Sequence, residues 1–503
     1  MNIEHSCSRG CNFIIIRYGR KAVKWAKSHF LRIAGNGKQP YLCRRKTKKI
    51  PKDLKDLKDP KDPKKAMTKS FLAALMLLTA GTASAQWNTD STEIDSYDRF
   101  RVGGYGEVVA AFKDYGTNRF YGGSEGNTRM RRNTIAVPRF VLAGDYKFNR
   151  HWNVGVEVEF ESGGTGTAFE IENSENGEYE TEVEKGGEVA IEQFHITYHL
   201  NQYFNVRAGH FIVPVGMNNA HHEPINFFGT VRPEGETSII PNTWHETGLS
   251  LFGQVGRKWA SFNWEAQVVA GLNANGFDRN NWVKKGKQGF FEKDNFTSPG
   301  YVLRINYTGV PGLRLGASWY HCQDAASNAD KPTTYSFSVP VNLWSVDAQY
   351  QHRYGIVRGN ILSGEVGNST LLSARNVRQS NASPYSKTAP IASKAVSYGI
   401  EGGVRLKGFF HSTKAPDIIP FARYEYYNAQ EEGEAGQVME ARLKTSMWTF
   451  GLNYRPIPYV IVKADYTTRR IGGGKYNSEN EFALGVAFTG WFKGKKKFSG
   501  FSE

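Results

Sequence analysis

Alternating apolar and polar residues dominate the chain from about residue 100 onward. The clearest run is residues 152–160, WNVGVEVEF, in which every second position is apolar. The same alternation recurs at 262–268, 301–307, 396–401, 448–454 and 460–466, with about ten weaker copies between them. Strict alternation places apolar and polar side chains on opposite faces of a β-strand. The pattern predicts about 16 strands of roughly 9–12 residues, the length that a tilted strand needs to cross a bilayer.

The connections between these strands alternate in length. Seven are short turns, and eight are long polar segments, near 114–131, 162–187, 216–244, 274–298, 321–340, 365–394, 428–443 and 468–478. Sixteen antiparallel strands give this alternation when both termini lie on the short-turn side. Outer-membrane barrels have short periplasmic turns and long outer loops, and closure removes edge strands that an open sheet would expose. We therefore predict an all-β fold, a transmembrane antiparallel β-barrel over residues 101–492.

If the apolar strand faces meet lipid, the opposite faces line the lumen. The charged residues assigned to the pore lining are Arg139, Arg207, Arg304, Arg314, Arg358, Arg405, Arg423, Lys463, Glu157, Glu265, Glu425 and Asp465. A lumen with this many ionised groups should be hydrated, because burying them dry would cost several kcal/mol each. For any single residue, a neutralising cross-strand pair, such as Arg423 with Glu425, explains the charge equally well.

The 216–244 loop differs from the other long segments. It carries six large apolar residues and three prolines, whereas the 162–187 segment is rich in Glu and should extend into water. Apolar residues in an exposed loop would leave a costly wetted patch, so we expect the loop to fold into the barrel and narrow the pore. The constriction residues predicted from it are His221, His222, Glu223, Arg232, Glu234 and Glu236. The alternative is that the loop covers a contact in a trimer.

The first 86 residues differ in charge from the rest. They hold 20 Lys+Arg against 5 Asp+Glu, while the remaining 417 residues hold 44 and 43, so the net charge of +16 does not indicate nucleic-acid binding. A positive start at Met67, a short apolar run and an A-x-A site ending at Ala85 predict a signal peptide over 67–85. Residues 1–66 are expected to be a non-native or disordered basic leader, 86–100 a short periplasmic segment, and 493–503 a basic tail.

Candidate chemistry is sparse in this sequence. Adjacent residues such as His221 and His222 rarely chelate one ion, and a single cysteine (Cys322) follows residue 86, so no metal site, catalytic residue or cofactor is predicted. No G-x-S-x-G nucleophile elbow occurs, although spacing alone does not identify a catalytic triad. We expect a channel rather than an enzyme. A phospholipase- or protease-type barrel enzyme and an adhesin or structural barrel remain the alternatives.

One segment carries a family resemblance. Residues 207–216, RAGHFIVPVG, resemble the G-x-F-x-x-P-x-G segment of the phosphate-selective porin O and P family, and 421–425 and 453–456 resemble its C-terminal half. The resemblance implies a 16-stranded, homotrimeric, passive channel in the outer membrane of a Gram-negative bacterium. Its partners would be outer-membrane lipid and small hydrophilic solutes or anions, with phosphate as one candidate. The predicted lining is about as acidic as it is basic, so phosphate selectivity does not follow from the residues.

Overall fold

The computed structural model describes residues 3–6, 13–16, 99–115, 131–162, 164, 167–173, 179–185, 187–288, 293–378, 389–410, 415–434, 436–473 and 477–493. The chain divides into two units, residues 1–81 and 82–503. In the first unit the described residues form one antiparallel hairpin, Ile3–Ser6 with Phe13–Ile16. The predicted signal peptide, 67–85, lies outside the described residues, as do most of the leader and the tail beyond residue 493.

Sixteen antiparallel strands form a closed barrel in the described part of the second unit. They are β1 (Phe100–Lys113), β2 (Arg132–Ala136 and Arg139–Lys147), β3 (Trp152–Glu161), β4 (Glu188–His199), β5 (Asn205–Ile212), β6 (His245–Val255), β7 (Phe262–Val269), β8 (Gly300–Tyr307), β9 (Leu313–Cys322), β10 (Val341–His352), β11 (Gly355–Val366), β12 (Lys394–Val404), β13 (Asp417–Glu432), β14 (Lys444–Ile457), β15 (Val460–Ile471) and β16 (Ser478–Lys493). Each strand pairs with its neighbours in chain order, and β16 pairs with β1 to close the ring. The predicted 16-stranded antiparallel barrel is confirmed.

Strand β14 shows how the alternation is used. Trp448, Phe450 and Leu452 are exposed on the outer wall, whereas Thr449 and Asn453, at alternate positions of the same strand, are buried on the inner side. The outer wall is therefore apolar and the interior polar, the arrangement of a barrel that meets lipid.

Strand β2 is interrupted between its two segments. Both segments pair with β1, and the break falls at Val137 and Pro138. Proline has no backbone N–H to donate to a neighbouring strand, so it disrupts the ladder where it occurs. The sequence pattern predicts one strand here, and the structure divides it at the proline.

The long connections contain structure that the sequence pattern does not predict. Residues Thr167–Asn173 and Tyr179–Lys185 form a separate two-stranded hairpin. The described residues contain three short α-helices, α1 (Met217–Ala220), α2 (Glu234–Ile239) and α3 (Ser369–Val377). Single 3-10 turns occur in these connections at Pro224–Asn226, Ala274–Gly276, Lys284–Gly286, Pro332–Thr334 and Ala441–Leu443, and in two of the short turns at Lys258–Ala260 and Leu406–Phe409. No helix in the described residues is both long and apolar enough to span a membrane.

Several long loops pack together at the end of the barrel opposite the short turns. Phe277 and Trp282 from one loop join Leu372 of α3 and Ile391 in a continuous buried apolar cluster, which also includes Trp244. The indole Nε1 of Trp282 donates a hydrogen bond to the Ala392 carbonyl over 2.9 Å. These segments, expected to be polar loops, therefore bury apolar side chains against one another.

Candidate pore constriction

The 216–244 loop leaves β5 through a sharp turn. Gly216 has φ of 85°, in the left-handed region that favours glycine. The Glu236 carboxylate of α2 then accepts hydrogen bonds from the backbone amides of Met217 (2.7 Å) and Asn218 (2.6 Å). It also accepts one from Asn360 Nδ2 on β11, at 2.6 Å. Burial raises the pKa of Glu236 to about 7. This carboxylate joins the start of the loop, its second helix and the barrel wall.

The middle of the loop is held by β15. Lys463 Nζ donates to the carbonyl oxygens of Pro224 (2.6 Å), Phe227 (2.9 Å) and Gly229 (2.8 Å). Two residues along the same face of β15, Asp465 accepts a hydrogen bond from the Thr230 amide at 2.5 Å. The lysine side chain is 2% exposed, so all three of its donors are satisfied by the loop rather than by water.

Arginines from other strands reach the same loop. Arg139 on β2 donates to the His222 carbonyl at 3.0 Å, and Arg304 on β8 donates to that of Gly216 at 3.1 Å. Arg358 on β11 donates to the Asn226 carbonyl. Because β2, β8, β11 and β15 lie on different sides of the ring, a segment that contacts all four must cross the interior.

The second half of the loop contacts β13, directly across the ring from β5. Glu425 accepts a hydrogen bond from the Gly235 amide at 3.0 Å, and Tyr427 donates to Glu234 at 2.8 Å. Arg469 on β15 pairs with the same Glu234 carboxylate. Phe228 stacks on Phe421, with ring centroids 5.3 Å apart. The apolar residues of the loop thus pack against the inner wall.

The three consecutive residues His221, His222 and Glu223 point to different partners. His221 contacts Arg314 on β9, and Glu223 accepts a hydrogen bond from Asn226. Among the described residues, no group of three or more His, Cys, Asp or Glu side chains has the geometry to hold a metal ion.

His222 forms an ion pair with β4. Its Nε2 lies 2.8 Å from the Glu192 carboxylate, which also accepts a hydrogen bond from Tyr105 at 3.3 Å. Burial by itself would lower the pKa of His222, but the adjacent Glu192 charge more than offsets this and raises that pKa to about 9. The imidazolium therefore anchors the base of the loop.

Eight of the twelve predicted pore-lining residues contact the 216–244 loop directly. They are Arg139, Arg304, Arg314, Arg358, Arg423, Lys463, Glu425 and Asp465. The remaining four have partners on the wall or at the turns. Arg207 pairs with Glu265 at 3.7 Å, Glu157 accepts from Gln193 at 2.6 Å, and Arg405 pairs with Asp417 just beyond the end of β12.

Most of these charges are paired and buried rather than facing open water. Arg304 contacts Asp347 at 2.9 Å, and Arg423 contacts Glu425 at 2.8 Å. All four side chains are at least nine-tenths buried. These two ion pairs match the neutralising-pair interpretation of the sequence, and the loop covers them on the inner side of the barrel.

A cavity of about 190 Å³, here called the tip cavity, lies between the tip of the loop and the wall. Its polar lining holds five cations against three carboxylates, namely Lys113, Arg132, Arg232, Arg423 and Arg469 with Glu234, Asp465 and Glu481. Arg423 and Arg469 are engaged in close ion pairs. Arg132 Nε has no hydrogen-bond partner, and Arg232 donates only to the neutral Thr243 hydroxyl at 2.7 Å within the described residues. The lining of the tip cavity therefore holds two more cations than carboxylates.

Sequence reasoning missed part of this lining. Lys113 and Arg132 flank the predicted 114–131 loop and belong to no predicted strand, and Arg469 falls in the predicted 468–478 loop. Extending the alternation of β15 from Lys463 and Asp465 by two more steps would have placed Arg469 on the inner face. Of the predicted constriction residues, Arg232 and Glu234 line the tip cavity. Glu236 instead braces the start of the loop.

A closed 16-stranded barrel with an apolar outer wall and a charged interior crossed by a loop is an outer-membrane β-barrel of the porin class. The family model described as phosphate-selective porin O and P matches residues 113–229, which include the 207–216 segment. The family resemblance predicted from the sequence is confirmed for this part of the chain.

Three individual proteins are similar to this chain in sequence or in structure. A protein of Aquifex aeolicus (strain VF5) titled "Uncharacterized protein" is 27% identical over 338 residues, covering 66% of this chain and 70% of its own. An anion-selective porin from Comamonas acidovorans is 9% identical and covers 78% of this chain and 99% of its own, with a TM-score of 0.46. The outer membrane channel DcaP of Acinetobacter baumannii is 10% identical, covers 78% and 96%, and has a TM-score of 0.46.

Proposed function

We propose that the protein is a passive diffusion channel for small hydrophilic anions in the outer membrane of a Gram-negative bacterium, rather than an enzyme or an adhesin. The observation that carries this proposal is the tip cavity beside the 216–244 loop. A loop that crosses the interior narrows the path through the barrel, and the charges at a narrowing act on every solute that passes.

The excess of cations at the tip cavity supports anions as the solute class. Among the described residues neither Arg132 nor Arg232 forms a close ion pair with a carboxylate, and Lys113 is 3.9 Å from Glu481, a loose pair. A guanidinium can donate two parallel hydrogen bonds to a carboxylate or phosphate oxygen pair. Phosphate is therefore one candidate among small oxyanions.

The test is the current through the purified protein in a planar lipid bilayer. A steady open channel supports a pore, and the sign of the reversal potential in a KCl gradient should report preference for chloride. Arg132→Glu and Arg232→Gln should each shift that potential toward cation preference. Arg257→Glu, on the exposed turn between β6 and β7, serves as the control and should leave it nearly unchanged.

Two results would contradict the proposal. The absence of a steady channel would remove the pore. A wild-type preference for cations would keep the pore but overturn the assignment to anions.

We propose further that the channel is a homotrimer, as the family resemblance implies. Its molar mass in detergent, measured by light scattering during size-exclusion chromatography, should equal three mature chains. The mass of one chain would refute the trimer.

A further inference from the structure

The outer wall of β10–β13 contains a groove of about 540 Å³. Ala348 on β10 and Gly359 on β11 lie side by side and form its floor. Val357, Ile400 and Tyr424 border it on the lipid-facing side. Two adjacent positions with almost no side chain leave a depression in a wall that is otherwise covered by large apolar residues.

The short turns below this groove are basic and aromatic. Arg353 and Lys407 lie on the turns that follow β10 and β12. The two turns are joined by a tilted contact between the rings of Tyr354 and Phe409, whose centroids are 4.9 Å apart. Phe409 and Phe410 are 58% and 62% exposed. Exposed aromatic rings beside cations are typical of the level at which lipid headgroups meet the hydrocarbon.

The two turns that follow β10 and β12, here called the turn cluster, carry more positive than negative charge. Arg405 is paired with the Asp417 carboxylate, its Nε donating to Oδ1 over 2.8 Å. Arg353 lies over the Tyr354 ring, with its guanidinium carbon 4.3 Å from the centroid, and contacts the Tyr354 hydroxyl. Neither contact supplies a negative charge to Arg353, and Lys407 interacts electrostatically with the Asp417 carboxylate, which Arg405 already engages. Arg353, Arg405 and Lys407 therefore face one carboxylate among the described residues, and the excess positive charge can bind an anion at the membrane surface.

The distance from the turn to the groove matches one lipid leaflet. Ala348, paired with Gly359, is five residues before Arg353 along β10, so the groove floor lies about 16 Å from the turn at roughly 3.3 Å per residue. A strand tilt of about 35–45° converts this to a depth of roughly 12 Å, within the leaflet of about 15 Å that makes up half of the hydrocarbon core. A molecule with its anionic group at the turn could therefore extend an acyl chain into the groove.

We infer that the groove and the turn cluster together bind one anionic phospholipid of the inner leaflet. Its phosphate group contacts Arg353 and Lys407, and one acyl chain lies over Ala348 and Gly359. Charge complementarity selects an anionic headgroup over a zwitterionic one. This inference concerns the outer wall and does not depend on which solute passes through the pore.

The test measures lipid retention by native mass spectrometry after reconstitution in a mixture of phosphatidylglycerol and phosphatidylcholine. The wild-type protein should retain phosphatidylglycerol selectively. The double variant Arg353→Gln/Lys407→Gln should retain at most about one fifth as much phosphatidylglycerol as the wild type, because charge-assisted hydrogen bonds to the phosphate are lost. Ala348 already faces lipid, so Ala348→Leu places a larger side chain in the groove. This variant should reduce the retention of phosphatidylglycerol to a similar extent. Arg257→Gln/Lys258→Gln, on an equally basic turn beside the exposed Trp259, is the matched control and should behave as wild type.

Folding is checked for each variant by heat-modifiable gel mobility. Equal retention of both lipids by the wild type would overturn the inference, and so would undiminished retention by Arg353→Gln/Lys407→Gln. If Ala348→Leu separates copies of the protein without changing lipid retention, the groove is a contact between subunits and the inference is wrong. If Ala348→Leu does not fold, the double variant on the exposed turns decides the question alone.

Discussion

Lys463 Nζ donates a hydrogen bond to the carbonyl oxygen of Pro224 over 2.6 Å, although 239 positions separate the two residues in the chain. The same ammonium group donates to two further carbonyls of the 216–244 loop and lies 4.1 Å from the centroid of the Phe227 ring. One buried lysine on the wall therefore fixes the backbone of the loop that crosses the barrel interior.

Replacing this lysine should loosen the loop. Lys463→Met removes the donors for three carbonyl oxygens, and each buried acceptor left unsatisfied costs about 1–3 kcal/mol. We expect a lower temperature for the heat-induced mobility shift and noisier single-channel currents. Lys394→Met is the control, because Lys394 is half-exposed and its 3.9 Å contact with Glu432 should contribute no more than about 1 kcal/mol. Quiet, wild-type currents in Lys463→Met would show that the lysine does not hold the loop.

Deleting residues 222–238 should widen the pore without unfolding the barrel. The partners that the loop leaves behind, such as Asp465 and Arg423, would become hydrated rather than remain buried without partners. Conductance should roughly double or more, since the narrowest section of a hydrated pore limits its current. Unchanged conductance with intact heat-modifiability would place the loop outside the conducting path.

The His222–Glu192 pair should make the loop sensitive to alkaline pH. The pKa of His222 is raised from 6.5 to about 9, so its stabilisation of the loop is complete below about pH 6.5 and is lost as the pH rises through about 9. The shift corresponds to a contribution on the order of 3 kcal/mol. Thermal stability should therefore fall at alkaline pH in the wild type, and this component of the fall should be missing in His222→Gln.

The control for this pH effect is the exposed His352 at a short turn. His352→Gln should keep the alkaline loss of stability seen in the wild type. If His222→Gln loses stability with pH as steeply as the wild type does, the ion pair does not account for the effect.

Export should remove the start of the chain. The A-x-A site ending at Ala85 predicts that the mature protein begins at Gln86. Mass spectrometry of the N-terminal peptide from isolated outer membranes tests this directly. A mature protein that contains residues 1–66 would contradict the interpretation of the leader.

Local sequence patterns predicted most of the strands that form the barrel wall. Alternation such as that of Trp448, Phe450 and Leu452 assigned outer and inner faces correctly, because a strand in lipid must present apolar side chains on one side only. Apolar composition alone predicted that the 216–244 loop folds inward, and its contacts with Lys463 and Glu425 place it inside the ring. The same reasoning applied to Phe277 and Trp282 would have anticipated the apolar cluster formed by the other loops.

The sequence alone determined the strand count, the two faces of each strand and the alternation of short turns with long loops, because these follow from a repeat of two residues and the thickness of a membrane. Only the tertiary structure decided which charges are paired and which are left at the narrowing. Arg423 and Arg132 look alike in the sequence, yet one is buried against Glu425 and the other has no carboxylate partner among the described residues. That difference depends on which distant strand and loop residues meet across the interior, and no local pattern records such contacts.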